Sequence, residues 1–270
     1  MKAVIAISDL HIGSLSGLCP PKAYLDGGGP YSPNKFQKSL WRFWRHFWDV
    51  FVPSQITGAE RVVIVLNGDL IDGVHHNNVG LWTNDPDTQA ACAEDLLAPL
   101  KTTGQVFVVR GTEAHSGPGS KSEERIAKHL GCLADETGNY SQWQLWLNVD
   151  GVVMQFAHHI GVTSSAAYET SAPMREMITG LVEASQWGQA LPHVFVRSHR
   201  HRFVPVSIPT QYGRFQCIIT PGWQLRTPFA ERIDRMRMPH IGGCVFHIEK
   251  GKCECQEKLY PLPGPKPIQI

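Results

Sequence analysis

Five short stretches concentrate the side chains able to hold a metal ion or move a proton. Asp9 and His11 lie in "SDLH", Asp69 and Asp72 in "NGDLID", Glu113 and His115 in "GTEAH", His158 and His159 in "FAHH", and His199 and His201 in "SHRH". Carboxylate oxygens and imidazole nitrogens without thiolate form a ligand set for manganese, iron, cobalt or zinc. Each stretch closes an apolar, β-branched run: 2–11, 61–72, 105–115, 151–159 and 193–201. Such unbroken runs suit strands buried on both faces. A single Asp or His at a strand end is more often a structural hydrogen-bonding residue. Five polar strand ends in one chain point instead to one crevice, because ligands of open α/β sheets gather outside the carboxyl ends of the strands.

The elements that must position these residues follow from the segments between them. Residues 35–51, 87–104, 122–131 and 171–188 read as helices, the third with a glycine stop. Strands alternating with helices predict an α/β layered fold. In 35–51, Trp41, Trp44 and Trp48 recur beside a stripe of Phe36, Leu40, Phe43 and Phe47, a pattern of core packing. Residues 14–35 are rich in Gly and Pro and read as a long substrate-side loop, and 238–258 as two strands around "EKGK". With no internal repeat and no linker, 1–270 reads as one domain with a C-terminal hairpin and tail at 238–270.

Composition narrows the function classes. Hydrophobic residues make up 42% of the chain and charged residues 18%, a globular balance. The formal charge of +1 gives no general field for nucleic acid, so such a role would rest on local clusters such as "RSHRHR" and "ERIDRMR". The seven scattered cysteines contain no C-x-x-C pair and read as reduced thiols in a cytoplasmic setting. Asp9 and His11 interrupt the N-terminal apolar run before it reaches signal or membrane-span length, so no membrane association is expected. No protein partner can be inferred.

"SDLHIG", "NGDLIDG" and "SHRH" resemble, in chain order, the D-x-H, G-D-x-x-D and G-H-x-H motifs of the calcineurin-like metallophosphoesterases, and "ITPGW" resembles the strand and turn that follow. The resemblance spans roughly residues 1–225. It implies a four-layer α/β/β/α sandwich of two mixed sheets flanked by helices, and two divalent metal ions, manganese first, with iron, zinc, cobalt or nickel as alternatives. Phosphate esters would be hydrolysed by a hydroxide held between the metals. Carried over by position, Asp9, His11 and His201 hold the first metal, Asp69 bridges both, and His158 and His199 hold the second. A shared carboxylate suits two ions roughly 3.5 to 4 Å apart. His158 is preferred to His159, since one of the two should face the metals. Ser198 replaces the usual glycine, a change of little consequence for ligation. The compact chain, the terminal strand "IGGCVFHIEKGKCECQEKL" and a departure at the third motif together loosely resemble metallophosphoesterases of phages and prophages.

The third motif departs from the family's G-N-H. In strict register Thr112 takes the metal-binding Asn position and Glu113 the place of the acid. In the preferred register Glu113 supplies the metal oxygen and His115 the proton, because residues two apart in an extended segment share a side, and Asp72 orients His115. Otherwise Glu113 caps a turn and His115 is a loop residue. Glu113 would make the site less cationic, favouring an alkaline optimum and phosphodiesters over monoesters. His75, His76 and Arg200 are candidates for substrate contact, the two histidines also reading as loop decoration. Two alternatives accompany this reading. One is a nuclease or repair phosphodiesterase contacting phosphates through Arg197, Arg200, Arg202, Arg226, Arg232, Arg235 and Arg237. The other is a non-catalytic metal-binding scaffold.

Overall fold

Alternation along the first strand already separates two cores. In β1 (Lys2–Ile7), Ala3, Ile5 and Ile7 join one apolar cluster while Val4 and Ala6 join another, so the strand is covered on both faces. The computed structural model describes residues 1–75, 78–161, 165–211, 213–233, 237–264 and 267–269. After β1 come a small hairpin of β2 (Ala23–Tyr24) and β3 (Pro30–Tyr31), then α1 (Lys35–His46), which a π-turn at Phe47–Phe51 joins to α2 (Val52–Ile56). Next are β4 (Arg61–Asn67), α3 (Pro86–Leu97), β5 (Gln105–Val109), the single turn α4 (Glu113–Ser116) and α5 (Lys121–His129). The chain continues through β6 (Ser141–Gln142), β7 (Leu145–Val149), β8 (Val152–Phe156), α6 (Ser171–Trp187), β9 (Val194–Arg197), β10 (Val204–Thr210) and β11 (Gly213–Ile219). It closes with α7 (Pro228–Ile233), β12 (Ile241–Glu249) and β13 (Lys252–Tyr260).

The strands form two mixed sheets, ordered β13-β12-β1-β4-β5-β6 and β10-β11-β9-β8-β7. In the first, β1, β4, β5 and β6 run parallel and the β12–β13 hairpin joins β1 antiparallel. In the second, β8, β9 and β11 are parallel, with antiparallel β7 and β10 at the edges. Three cores separate four layers. Leu40 and Trp44 of α1, Ala93 and Leu97 of α3, and Ile126 of α5 cover the outer face of the first sheet. Phe156, Met154, Val196 and Phe246 fill the space between sheets, and Met177 of α6 packs on Phe195 and Ile219 of the second sheet. Each fully buried Phe in the middle core contributes about 1.5–3 kcal/mol. This is the expected α/β/β/α sandwich.

Two segments differ from their sequence reading. The predicted helix 35–51 starts on an Asn34–Gln37 capping box but loosens into the π-turn, which keeps Phe47 buried while Phe36 is left exposed. The loop 14–35 is anchored: Leu18 and Cys19 are buried in the outer core, and Leu18 N–H donates to Leu10 O at 2.9 Å.

Candidate metal centre

The candidate residues follow the C-terminal ends of β1, β4, β5, β8 and β9, and most leave their strands in left-handed conformation. Asp9 (φ 55°), His11 (φ 46°), Asp69 (φ 53°), His199 (φ 70°) and His201 (φ 49°) are five of the eight non-glycine residues with positive φ among the described residues. Each such conformation costs about 1–3 kcal/mol, and strain of this kind gathers where side chains must be aimed. Asp9 and His11 therefore share a side through left-handed turns and not through an extended strand end. Their N–H groups donate to Gly68 O and Asp69 O at 3.0 and 3.1 Å, which ties the two loops together. Gly68 (φ +87°) has no room for a side chain, since a Cβ there would lie 2.5 Å from His158 Nδ1.

Two ligand groups face one another. His201 Nε2 lies 3.3 Å from Asp9 Oδ1 and 3.2 Å from His11 Nε2. His158 Nε2 lies 3.0 Å and His199 Nδ1 3.9 Å from Asp69 Oδ2. In each of the groups Asp9–His11–His201 and Asp69–His158–His199, the ligand atoms lie within 4.8 Å of one another. Asp9 Oδ1 and His158 Nε2 are buried and make no well-directed hydrogen bond, having only ion-pair neighbours. Two such inward-facing atoms and two imidazole nitrogens in near contact fit the binding of divalent cations. His159 is exposed and its ring lies against His199, 4.4 Å between centroids.

Outer hydrogen bonds fix which nitrogen His11 and His158 present. His11 Nδ1 lies 2.9 Å from Asp72 Oδ1 and His158 Nδ1 2.7 Å from Asn67 O, which leaves Nε2 of each ring facing inward. Asp72 is itself held by Gln224 Nε2 at 3.2 Å and Asn78 Nδ2 at 3.1 Å. The charges follow from these contacts in the metal-free chain. Burial alone would depress the His158 pKa, but the carboxylates of Asp69 and Asp9 raise it to about 10. Burial works to raise Asp69 as well, and His158 nevertheless holds it well below the usual carboxylate range.

The third motif obeys neither register in full. Thr112 donates its N–H to Asp69 Oδ1 at 2.7 Å, and its hydroxyl lies 3.0 and 3.1 Å from the two carboxylate oxygens, so Thr112 occupies the place expected of the Asn. Glu113 is exposed, accepts only a long bond from Gly119 N–H at 3.4 Å, and stands outside the cluster, so its assignment as a ligand is corrected. The extended geometry behind that assignment is absent, because residues 113–116 form the turn α4. On a helical turn, positions two apart do not share a face but positions three apart do. His115, three after Thr112, accordingly enters the centre: its Nδ1 lies 2.7 Å from Asp72 O and its Nε2 4.0 Å from Asp69 Oδ2. Asp72 thus orients His115 through its backbone carbonyl, while its carboxylate serves His11. "TEAHSG" carried the signal for this turn, a Thr N-cap and a Gly stop.

Around the centre, His75 packs edge-on against His115 with 4.5 Å between centroids, and Asp72, His75 and His115 could be read as another ligand group. The His115 nitrogen nearest Asp72 is, however, engaged by the Asp72 carbonyl. His76 and Arg235 lie outside the described residues. Arg200 is half-buried and donates to Glu169 O at 3.2 Å. Arg197 is buried and engaged by Glu176 and Gln155, and Arg202 pairs with Glu169, so these two are poorly placed to contact phosphates. Arg226 lies 3.4 Å from Glu231, and Arg232 is exposed. Sequence reading missed Glu123. It is fully buried behind the third motif and accepts Gly111 N–H at 2.6 Å, and burial followed by the nearby Asp69 charge raises its pKa to about 8.

The chain is similar over most of its length to several solved structures. Vps29 of Entamoeba histolytica, complexed with zinc, is 9% identical over 96% of this chain and 99% of its own, with a TM-score of 0.42. A metallophosphoesterase of Sphaerobacter thermophilus is 9% identical over 96% of this chain and 90% of its own, with a TM-score of 0.38. A predicted phosphoesterase of Streptococcus pneumoniae is 8% identical over 95% of this chain and 98% of its own, with a TM-score of 0.34. No family model and no curated protein matches the chain. At these scores the likeness carries no argument about activity. Among the described residues, no helix is long and apolar enough to cross a membrane.

Proposed function

We propose that this chain is a two-metal phosphoesterase of the calcineurin-like type. The observation that carries the reading is the convergence of Asp9, His11, Asp69, His158, His199 and His201 from both sheets, with the ring nitrogens of His11 and His158 fixed from outside and strained backbone at five of the six. Asp9, His11 and His201 would hold one cation, His158 and His199 the other, and Asp69 both. Oxygen and nitrogen donors without thiolate favour manganese, with iron, zinc, cobalt or nickel as alternatives. When bound, two such cations would supply a nucleophile at neutral pH and a clamp for phosphoryl oxygens. His115, with Nδ1–H donated to the Asp72 carbonyl, presents Nε2 to the centre, where as imidazolium it holds a proton for the departing oxygen. Thr112 takes the Asn position as a weak neutral oxygen donor.

Because Glu113 lies outside, only Asp9 and Asp69 offset the charge of two divalent cations, and the electrostatic case for diesters over monoesters falls with that assignment. A more cationic centre attracts both. The metal-stripped chain should hydrolyse bis-nitrophenyl or nitrophenyl phosphate after addition of Mn(II). Asp69→Asn should lower that rate by at least about 10²-fold and release both cations. Two tightly held cations in Asp69→Asn would overturn the assignment. Stoichiometric binding in the wild type without turnover on any ester would support the scaffold alternative.

A further inference from the structure

Four residues without a part in the proposed chemistry form a continuous polar line beneath the centre. Ser8, Asn67, Ser198 and Thr220 are each fully buried. Asn67 Nδ2 lies 2.6 Å from Ser198 Oγ, Ser198 Oγ 2.7 Å from Thr220 Oγ1, Thr220 Oγ1 2.8 Å from Ser8 Oγ, and Ser8 Oγ 2.5 Å from Asp9 Oδ2. The backbone carbonyl of Asn67 accepts His158 Nδ1–H at the same point. The line therefore joins Asp9, of one ligand group, to His158, of the other.

Its direction is fixed by its ends. The amide orientation of Asn67 follows from a second contact, Nδ2 with Ala157 O at 3.2 Å, which a flipped carbonyl would turn into a repulsion. At that end nitrogen can only donate, and at the other an ionised carboxylate can only accept. Each hydroxyl has one proton, so Asn67 donates to Ser198, Ser198 to Thr220, Thr220 to Ser8, and Ser8 to Asp9. Were Thr220 to donate instead to Arg197 O, 3.2 Å away, Ser8 would turn to Thr220 and leave its short contact with Asp9 without a proton. The same argument sets aside Pro221 O, 3.3 Å from Ser8. The Ser8 bond and the His199 N–H, at 3.3 Å, both fall on Asp9 Oδ2, so Oδ1 is the oxygen turned to the centre.

We infer that Asn67, Ser198, Thr220 and Ser8 are positioning residues, a one-directional hydrogen-bond chain that aims Asp9 and ties the two sheets together at the floor of the centre. Asn67 and Ser8 come from the ends of β4 and β1, Ser198 and Thr220 from those of β9 and β11, so the chain crosses between sheets twice. Chains of this kind strengthen each link through polarisation, and here only the Asn67 carbonyl Oδ1, at the donating end, is left without a partner. Ser198 is the link that a glycine, usual in the resembling motif, could not supply, which gives the substitution a consequence that sequence reading denied it.

The inference rests on the two-metal reading, and Mn(II) titration of the metal-stripped full chain tests both. Ser198→Ala and the near-isosteric Thr220→Val should each weaken cation binding about 10–100-fold. The double variant should be no weaker than the worse single, since one break interrupts the whole line. Thr220→Ser, which keeps the hydroxyl, should bind as wild type. Unchanged affinity with only a lower metal-free melting temperature would reduce these hydroxyls to packing and overturn the inference, as would additive losses in the double variant. A wild type that takes up no cation would overturn the two-metal reading itself, before any variant is compared.

Discussion

At the scale of single residues, Glu113 and His115 now make separate predictions. Glu113→Gln removes an exposed charge and should leave cation affinity and hydrolysis within about twofold of wild type, as surface changes away from special features do. His115→Asn should retain both cations yet lose on the order of 10²–10⁴ in rate on an alkyl or nucleoside ester, whose leaving oxygen needs a proton, and far less on a nitrophenyl ester. Parallel rate measurements on both ester types, with metal content determined for each variant, check this. Equal losses on both esters would remove His115 as the acid. That Asp9, His11, Asp69, His158, His199 and His201 would converge was legible, because apolar runs ending on Asp or His place such residues at one end of the sheets. Which atom Asp9, His11 and His158 present was not, because Ser8, Asp72 and Asn67 select it through contacts that spacing along the chain does not show.

At the scale of elements, the corner between β5 and α5 decides how Asp69 is held. A Cβ on Gly111 would lie 2.1 Å from Asp69 Oδ1, with Glu123 Oε1 closing the other side at 2.9 Å. Gly111→Ala should therefore displace the Asp69 carboxylate and lower cation affinity more than it lowers metal-free stability, which calorimetry of both quantities would resolve. Glu123→Ala should cost about 1–3 kcal/mol in metal-free urea unfolding, because it strands the buried Gly111 N–H. Glu123→Gln, which keeps an acceptor there, should not. The strand runs and the hairpin at 238–258 were readable from hydrophobic pattern and turn residues. The turn α4 was overlooked because four residues carry too little periodicity to separate a turn from an extended end, and that single turn exchanges Glu113 for Thr112 and His115.

At the scale of the whole molecule, the buried charges predict how metal-free stability varies with pH. His158 titrates near 10 in the fold against 6.5 ordinarily, so its stabilisation is complete below 6.5 and is lost as pH rises towards 10. Glu123 titrates near 8 against 4.5, so the fold binds more protons than the unfolded chain between those values and loses stability as pH rises through them. Asp9 and Asp69, held below their usual 3.8, act oppositely and lose their contribution as pH falls below that value. His11, His159 and His240, held below 6.5 by burial, oppose the Glu123 trend under that pH. The melting temperature in a chelator should therefore fall clearly between pH 6.5 and 10, and Glu123→Gln should flatten the part between 6.5 and 8. A profile that rises over this range would contradict the charge assignments.

The sequence by itself determined the layered α/β architecture and the set of Asp and His side chains that converge, because both are written in local pattern: apolar runs that must be buried, each ending on Asp or His. Tertiary structure alone decided the rest. Ser198 and Thr220 lie 22 positions apart, and Ser8 lies 212 positions from Thr220, yet all meet beneath Asp9. Glu123 comes from a helix to close the corner behind Asp69. No spacing rule announces such partners, since a hydroxyl or carboxyl acquires its role only when packing removes water and leaves one neighbour to satisfy it.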